Sequence, residues 1–151
     1  MRIVRYAGKA GRPRYARERD GGFVELEGDR FQALAETERP VDPLTFLSPL
    51  EPAAIIGIGA NYRRHAESFG VPVPDRPMVF LKLPGSVSGP GEPIRLPMTA
   101  GSDKVDYEGE LAVILGTDTR NVSPDEAPGC VFGYTCANDV SARDWQKDWG
   151  G

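Results

Sequence analysis

The chain has 151 residues, 40% hydrophobic and 26% charged, with a formal net charge of −4. That is enough for one ordinary core, or for a small module beside part of a larger domain. The acidic balance speaks against a nucleic-acid partner, and no apolar run approaches the ~20 residues that span a bilayer.

The first twenty residues, MRIVRYAGKAGRPRYARERD, carry Arg2, Arg5, Lys9, Arg12, Arg14, Arg17 and Arg19. No apolar h-region accompanies them, so they are not read as a secretory signal. Solvated strands and loops fit the overall charge better than a nucleic-acid arm. MRIVRYA reads as a strand, GGFVELEG as a second, and FQALAE as a third strand or a short helix. VDPLTFLSPLEP is a proline-punctuated linker, and a boundary near Pro52 divides the chain into a small N-terminal β module, 1–52, and a second unit, 53–151.

In the second unit AAIIGIGANY is a buried strand running into glycines. RRHAESFG is a short helical turn with Gly70 as its C-cap. MVFLKLPGS is a strand ending at Pro84. NVSPDEAPGC is a turn in which Ser123 is a candidate cap. CVFGYTCAND is a buried strand, and SARDWQKDW opens a helix with Asn138, Asp139 or Ser141 as its cap. Ser141 and Asp144 have capping-box spacing, with Asp in place of Glu. Eighteen glycines and fourteen prolines, about twice the usual share, punctuate short apolar runs and predict a β-rich α+β fold. Such strands alone leave open sheet edges, so the chain is expected to have a partner or to belong to something longer. Cys130 and Cys136 lack zinc-site spacing and, on one strand, lie too far apart for a disulfide. Free buried thiols in a reducing cytoplasm are expected.

DYEGELAVIL, Asp106 to Leu115, is the most informative stretch. As a strand it puts Asp106, Glu108, Glu110, Ala112 and Ile114 on one face. A solvated acidic face would stay polar, whereas this one turns apolar after Glu110. Glu108 and Glu110 have Cα atoms ~6.6 Å apart, and two negative charges at that distance repel by ~2.5 kcal/mol at an effective dielectric of ~20. Protonation, a basic partner or a hard divalent cation would relieve this; a sheet edge with two solvated glutamates is the plainer alternative. Asp139 is either a third ligand or an N-cap. His65, the single histidine, is either a general base beside Glu67 or an exposed ring in a polar turn. Lys82 is either a substrate-carboxylate ligand or a surface lysine. Arg143 and Gln146 share a helix face and either reach an anionic substrate or face water; Arg143 also has the spacing to pair with Asp139. GIGANY has Tyr62 where a dinucleotide site needs a third glycine, and no GxSxG elbow occurs.

Four stretches in order, IIGIGANYRRHAESFG, RPMVFLKLPGSVSGPGEPIRLP, DYEGELAVILG and GYTCANDVSARDWQ, resemble the fumarylacetoacetate hydrolase family. They cover about residues 53 to 146, and the first 50 residues look like the small N-terminal module of bacterial members. The resemblance implies a mixed β-roll, usually dimeric, and Mg²⁺ or Mn²⁺ (Ca²⁺ in some members) held by Glu108, Glu110 and Asp139. It implies His65 as the group that activates water or moves a proton, and small 2-oxo or 2,4-dioxo acids as substrates. Three departures stand out. Ser68 occupies the position where many members carry the glutamate that follows the histidine, with Glu67 one residue early. Arg63 and Arg64 stand where some members add a metal-binding aspartate. The chain also stops where complete members continue, so the roll is expected to be incomplete at its C-terminal side.

The function expected from the resemblance is metal-dependent hydrolysis, isomerisation or decarboxylation at a C–C bond of a small oxo acid. The site is expected to use His65 and Glu67 as catalytic residues, Lys82, Arg143 and Gln146 for substrate, and Glu108, Glu110 and Asp139 for the cation. The expected partners are a second copy or a complementing C-terminal half, with no nucleic acid and no membrane. The competing expectation is a non-catalytic subunit from a truncated or split gene.

Overall fold

The structure is a computed structural model that describes residues 1–43, 45–96, 99 and 101–148. Its first element is an antiparallel meander of β1 (Ile3–Ala7), β2 (Pro13–Arg19), β3 (Gly22–Asp29) and β4 (Ala33–Val41), in that order across the sheet. Strand β2 lies where the sequence showed only a basic cluster. Its charges are satisfied across strands: Arg17 pairs with Glu36, Arg19 with Glu36 at 3.4 Å and Arg14 with Glu25 at 3.6 Å. FQALAE resolves into a strand from Ala33. Phe31 and Gln32 belong to the preceding turn, where their N–H groups donate to the Asp29 carboxylate at 2.8 and 3.1 Å. Tyr6, Ala16 and Leu26 form the buried centre of this sheet, and the buried Arg5 guanidinium pairs with Glu51 and donates to the Ser48 carbonyl at 3.3 Å.

Beyond the linker, β5 (Ile55–Gly59) and β6 (Met78–Lys82) form an antiparallel pair with Ile55 opposite Lys82. Between them lies α1 (Arg63–Ser68). Its exit is a Schellman turn. Gly70 N–H donates to the Glu67 carbonyl at 3.1 Å and Val71 N–H to the Ala66 carbonyl at 2.9 Å. Gly70 has φ +64°, the left-handed conformation that glycine adopts without strain.

The remaining elements are β7 (Val105–Asp106), β8 (Gly109–Leu115), β9 (Val131–Asn138), β10 (Ser141–Ala142) and α2 (Arg143–Asp148). Strands β7 and β10 pair with Asp106 opposite Ser141, and β8 and β9 with Gly109 opposite Asn138. Both pairs follow one register, so they read as a single antiparallel ribbon with a break. The strand expected over DYEGELAVIL is interrupted at Tyr107 and Glu108 because side chains take their backbone N–H groups. Asp106 accepts from Tyr107 N–H at 2.9 Å, and Asn138 Oδ1 accepts from Glu108 N–H at 3.0 Å. The expected Ser141–Asp144 capping box does not form. Ser141 lies in β10 and donates to Glu108, while Asp144 accepts from the Ser102 hydroxyl at 2.6 Å.

Apolar side chains of the second unit remain open to solvent. Ile56, Val79 and Leu81 share one face of the β5–β6 pair, and Leu111, Val113 and Tyr134 one face of the ribbon; Leu81 is 73% and Tyr134 65% exposed. Among the described residues no helix is long and apolar enough to cross a membrane.

Candidate active site

The ribbon brings the acidic residues to one end. Asp139 N–H donates to the Glu108 carbonyl at 2.9 Å, so the two residues face each other across the break. Opposite residues and their i±2 neighbours share a face, which groups Asp106, Glu108, Glu110 and Asp139. Burial follows the same alternation: Glu108, Glu110, Ala112 and Ile114 are half-buried while Tyr107, Leu111, Val113 and Leu115 are exposed. The stripe therefore passes from an exposed Asp106 to half-buried positions from Glu108 onward.

Two basic side chains meet these acids. Arg143 Nη1 donates to Glu108 Oε1 at 2.7 Å, and its Nε and Nη2 donate to Asp106 Oδ2 at 3.2 and 3.1 Å. Arg143 thus pairs with Asp106 and Glu108, and the i, i+4 pairing with Asp139 does not occur. Its Nη1 also donates to Gln146 Oε1 at 3.2 Å, which joins the two residues that the helix periodicity put on one face. Lys82 arrives from β6 and pairs with Asp139 Oδ1, with a longer contact from Nζ to the Val140 carbonyl at 3.4 Å. Ser141 Oγ donates to Glu108 Oε1 at 3.0 Å. Glu110 receives no ion pair among the described residues. Burial holds its carboxyl above the ordinary carboxylate range, the charge on Glu108 adds to that, and Lys82 partly offsets it.

His65 lies on α1 and is exposed, its ring 4.8 Å from that of Phe69. Glu67 is exposed too, and among the described residues no hydrogen bond joins it to His65. The start of α1 is tied to the acidic strand through Tyr62, whose hydroxyl accepts from Leu111 N–H at 2.8 Å, immediately after Glu110. Sequence reasoning did not single out Tyr62, Asn138 or Ser141 as contributors to the site. Asn138 and Ser141 flank Asp139 in NDVS, and the cap-forming residue types there were the signal available.

Three carboxylates on one face suit a hard divalent cation by donor type. Glu108 Oε2, Asp139 Oδ2 and both oxygens of Glu110 accept no hydrogen bond from a described residue, while Ser141, Arg143 and Lys82 hold the other oxygens. Among the described residues no three His, Cys, Asp or Glu side chains form a ready-made ion cage. Asp139 is drawn onto Lys82 and Glu108 onto Arg143, while Glu110 is paired with neither.

Residues 54–150 match the family model "Fumarylacetoacetate (FAA) hydrolase C-terminal". The chain belongs to the fumarylacetoacetate hydrolase family. It is 47% identical over 125 residues to an uncharacterised protein of Archaeoglobus fulgidus, covering 83% of this chain and 49% of that one. It is 44% identical over 112 residues to the mitochondrial oxaloacetate tautomerase fahd2 of Xenopus laevis, covering 70% and 34%. Among solved structures, the 5-carboxymethyl-2-hydroxymuconate delta-isomerase of Mycobacterium smegmatis superposes with a TM-score of 0.83 at 34% identity, covering all of this chain and 59% of the isomerase. The β-rich fold is thus that of the fumarylacetoacetate hydrolase family, present in part. The chain spans about half the length of the Archaeoglobus protein and a third of the Xenopus enzyme.

Proposed function

We propose that this chain is a portion of a divalent-cation-dependent enzyme of the fumarylacetoacetate hydrolase family, acting on a small 2-oxo or 2,4-dioxo acid. The reaction is hydrolysis, decarboxylation or isomerisation at a carbon next to the oxo group. The observation that carries this reading is the grouping of Glu108, Glu110 and Asp139 at one end of the ribbon, with Glu110 left without a basic partner. Mg²⁺ or Mn²⁺ there would polarise the oxo and carboxylate oxygens of the substrate. Ser141 and Arg143 fix the orientation of Glu108 by holding its Oε1. Arg143 and Gln146 are the groups offered to a substrate carboxylate, with Lys82 joining them once it leaves Asp139. His65 accepts or returns a proton, carried on a helix that Tyr62 anchors beside Glu110.

The partner in this reading is the polypeptide that covers the apolar faces of β5–β6 and of the ribbon, either a complementing C-terminal half or a second copy. Its support is the exposure of those faces and the 59% coverage of the Mycobacterium isomerase. Cytoplasmic residence belongs to the same proposal; Cys130 and Cys136 are free thiols, but half-buried and exposed rather than buried as expected. The test is Mn²⁺ titration by calorimetry, with Glu108→Gln and Glu110→Gln as controls. One-site binding that both variants lose is expected, and equal binding in all three proteins would overturn the reading. A second reading, a non-catalytic interaction subunit, is favoured by the same exposed faces. Turnover of oxaloacetate or an acylpyruvate by the purified chain excludes it.

A further inference from the structure

The charges around Asp139 do not cancel. Among the described residues four carboxylates, Asp106, Glu108, Glu110 and Asp139, share a face with two cations, Lys82 and Arg143, which ion-pair with all of them but Glu110. The remaining charge matches that of one divalent ion. The two cations are held differently. Arg143 is fixed by Asp106, Glu108 and Gln146 and by its own place at the start of α2. Lys82 comes from another sheet and, among the described residues, ion-pairs with one carboxylate; its other hydrogen bond is the long one to the Val140 carbonyl. Its side chain is 28% exposed, against 9% for Asp139, so the ammonium can turn to water without disturbing either strand. A lysine suits that movement, because its ammonium is compact, strongly hydrated and mounted on a flexible stem.

We propose that Lys82 is an internal counter-ion that competes with the divalent cation for Asp139, thereby setting the affinity of the site for the ion, and turns to an anionic ligand once the ion is in place. This rests on the cation reading above. An alternative role for Lys82 is that of a group which merely orients a ligating carboxylate, as outer partners of metal ligands often do. The two roles predict opposite signs. An ammonium a few ångströms from a dication in a half-buried site repels it more strongly than one orienting hydrogen bond helps it. The counter-ion role therefore requires that a neutral side chain at position 82 tighten binding of the ion.

The experiment is calorimetric titration of the full chain with Mn²⁺, for the wild type, Lys82→Met, Lys82→Gln and Glu110→Gln, followed by oxalate titrated into each Mn²⁺-saturated protein. Lys82→Gln removes the charge and keeps an N–H donor on a shorter stem, and Lys82→Met removes the charge and the donor together. Expected are at least tenfold tighter Mn²⁺ binding in both Lys82 variants and at least tenfold weaker oxalate binding to their loaded forms. Unchanged or weaker Mn²⁺ binding in Lys82→Gln overturns the proposal while leaving the cation reading intact. Wild type and Glu110→Gln that bind Mn²⁺ equally, or a wild type that does not bind it, overturn the cation reading and this proposal with it. A second measurement needs no variant: the ¹⁵Nζ resonance of Lys82 in the wild type is expected to shift on saturation with Mg²⁺. A resonance unmoved at saturation counts against displacement.

Discussion

Replacing Glu110 by Gln is expected to stabilise the chain at neutral pH and to remove its response to a divalent cation. The Cα atoms of Glu108 and Glu110 are ~6.6 Å apart on one strand face, a separation at which two charges repel by ~2.5 kcal/mol at an effective dielectric of ~20. Partial exposure and the attraction of Lys82 reduce this, and after solvent screening a gain of ~1 kcal/mol remains. For a chain of 151 residues that is a rise of ~3 °C in the unfolding midpoint. The sign of the pH dependence follows from the raised carboxyl. Folding disfavours the charged form, so the penalty is complete above the folded-state value, shrinks as pH falls through it, and is gone below the ordinary unfolded value. The gap between variant and wild type is therefore open at neutral pH and closes toward about pH 4. Saturating Mg²⁺ reverses the ranking. An ion present at about 100 times its Kd and bound only by the folded chain adds ~2.7 kcal/mol to the wild type and nothing to the variant. Urea unfolding followed by far-ultraviolet circular dichroism, across this pH range and with and without Mg²⁺, measures each of these. A Glu110→Gln chain less stable than the wild type at neutral pH without Mg²⁺ would refute the reasoning, because the carboxylate would then be a satisfied member of the network.

Tyr62→Phe removes the acceptor for Leu111 N–H and is expected to cost about 1 kcal/mol; hydrogen exchange of the Leu111 amide should speed up while amides of β2 and β3 keep their rates. Gly28→Ala is expected to destabilise the N-terminal sheet by ~3 kcal/mol. Gly28 has φ +114°, and an added Cβ would lie 2.2 Å from the Ala33 carbonyl oxygen; an unchanged urea midpoint would contradict that close approach. Ser102→Ala removes the hydroxyl that most strongly holds the Asp144 carboxyl below its ordinary range. The stability this group contributes is present above the unfolded carboxylate value and is lost as pH falls through the lowered folded value. Wild type should therefore exceed Ser102→Ala at neutral pH and converge with it in acid, and parallel curves would rule the contact out as the cause.

The parts of the site legible in the sequence are those that a local period fixes. Alternation along DYEGELAVIL put Glu108 and Glu110 on the face that continues into Ala112 and Ile114, and the burial pattern has that same phase. Likewise the Gly70 cap of α1 depends on its own turn alone. What escaped depends on pairing between distant segments. The basic stretch that becomes β2 was read only as solvated strands and loops, because its arginines are neutralised by Glu25 and Glu36, which only the sheet register brings alongside. The break at Glu108 is made by Asn138, thirty residues on, and the anchoring of α1 by a tyrosine forty-nine residues before its partner. Lys82 is the sharpest case. Nothing within FLKLPGS distinguishes a surface lysine from a ligand of substrate, because the residue that decides its environment, Asp139, lies fifty-seven positions away. A charge whose partner arrives through tertiary structure has no signature in its own neighbourhood. For that reason the balance of four acids and two bases became visible only once the ribbon and the β5–β6 pair were side by side, and of the two bases Lys82 has the fewer bonds to break.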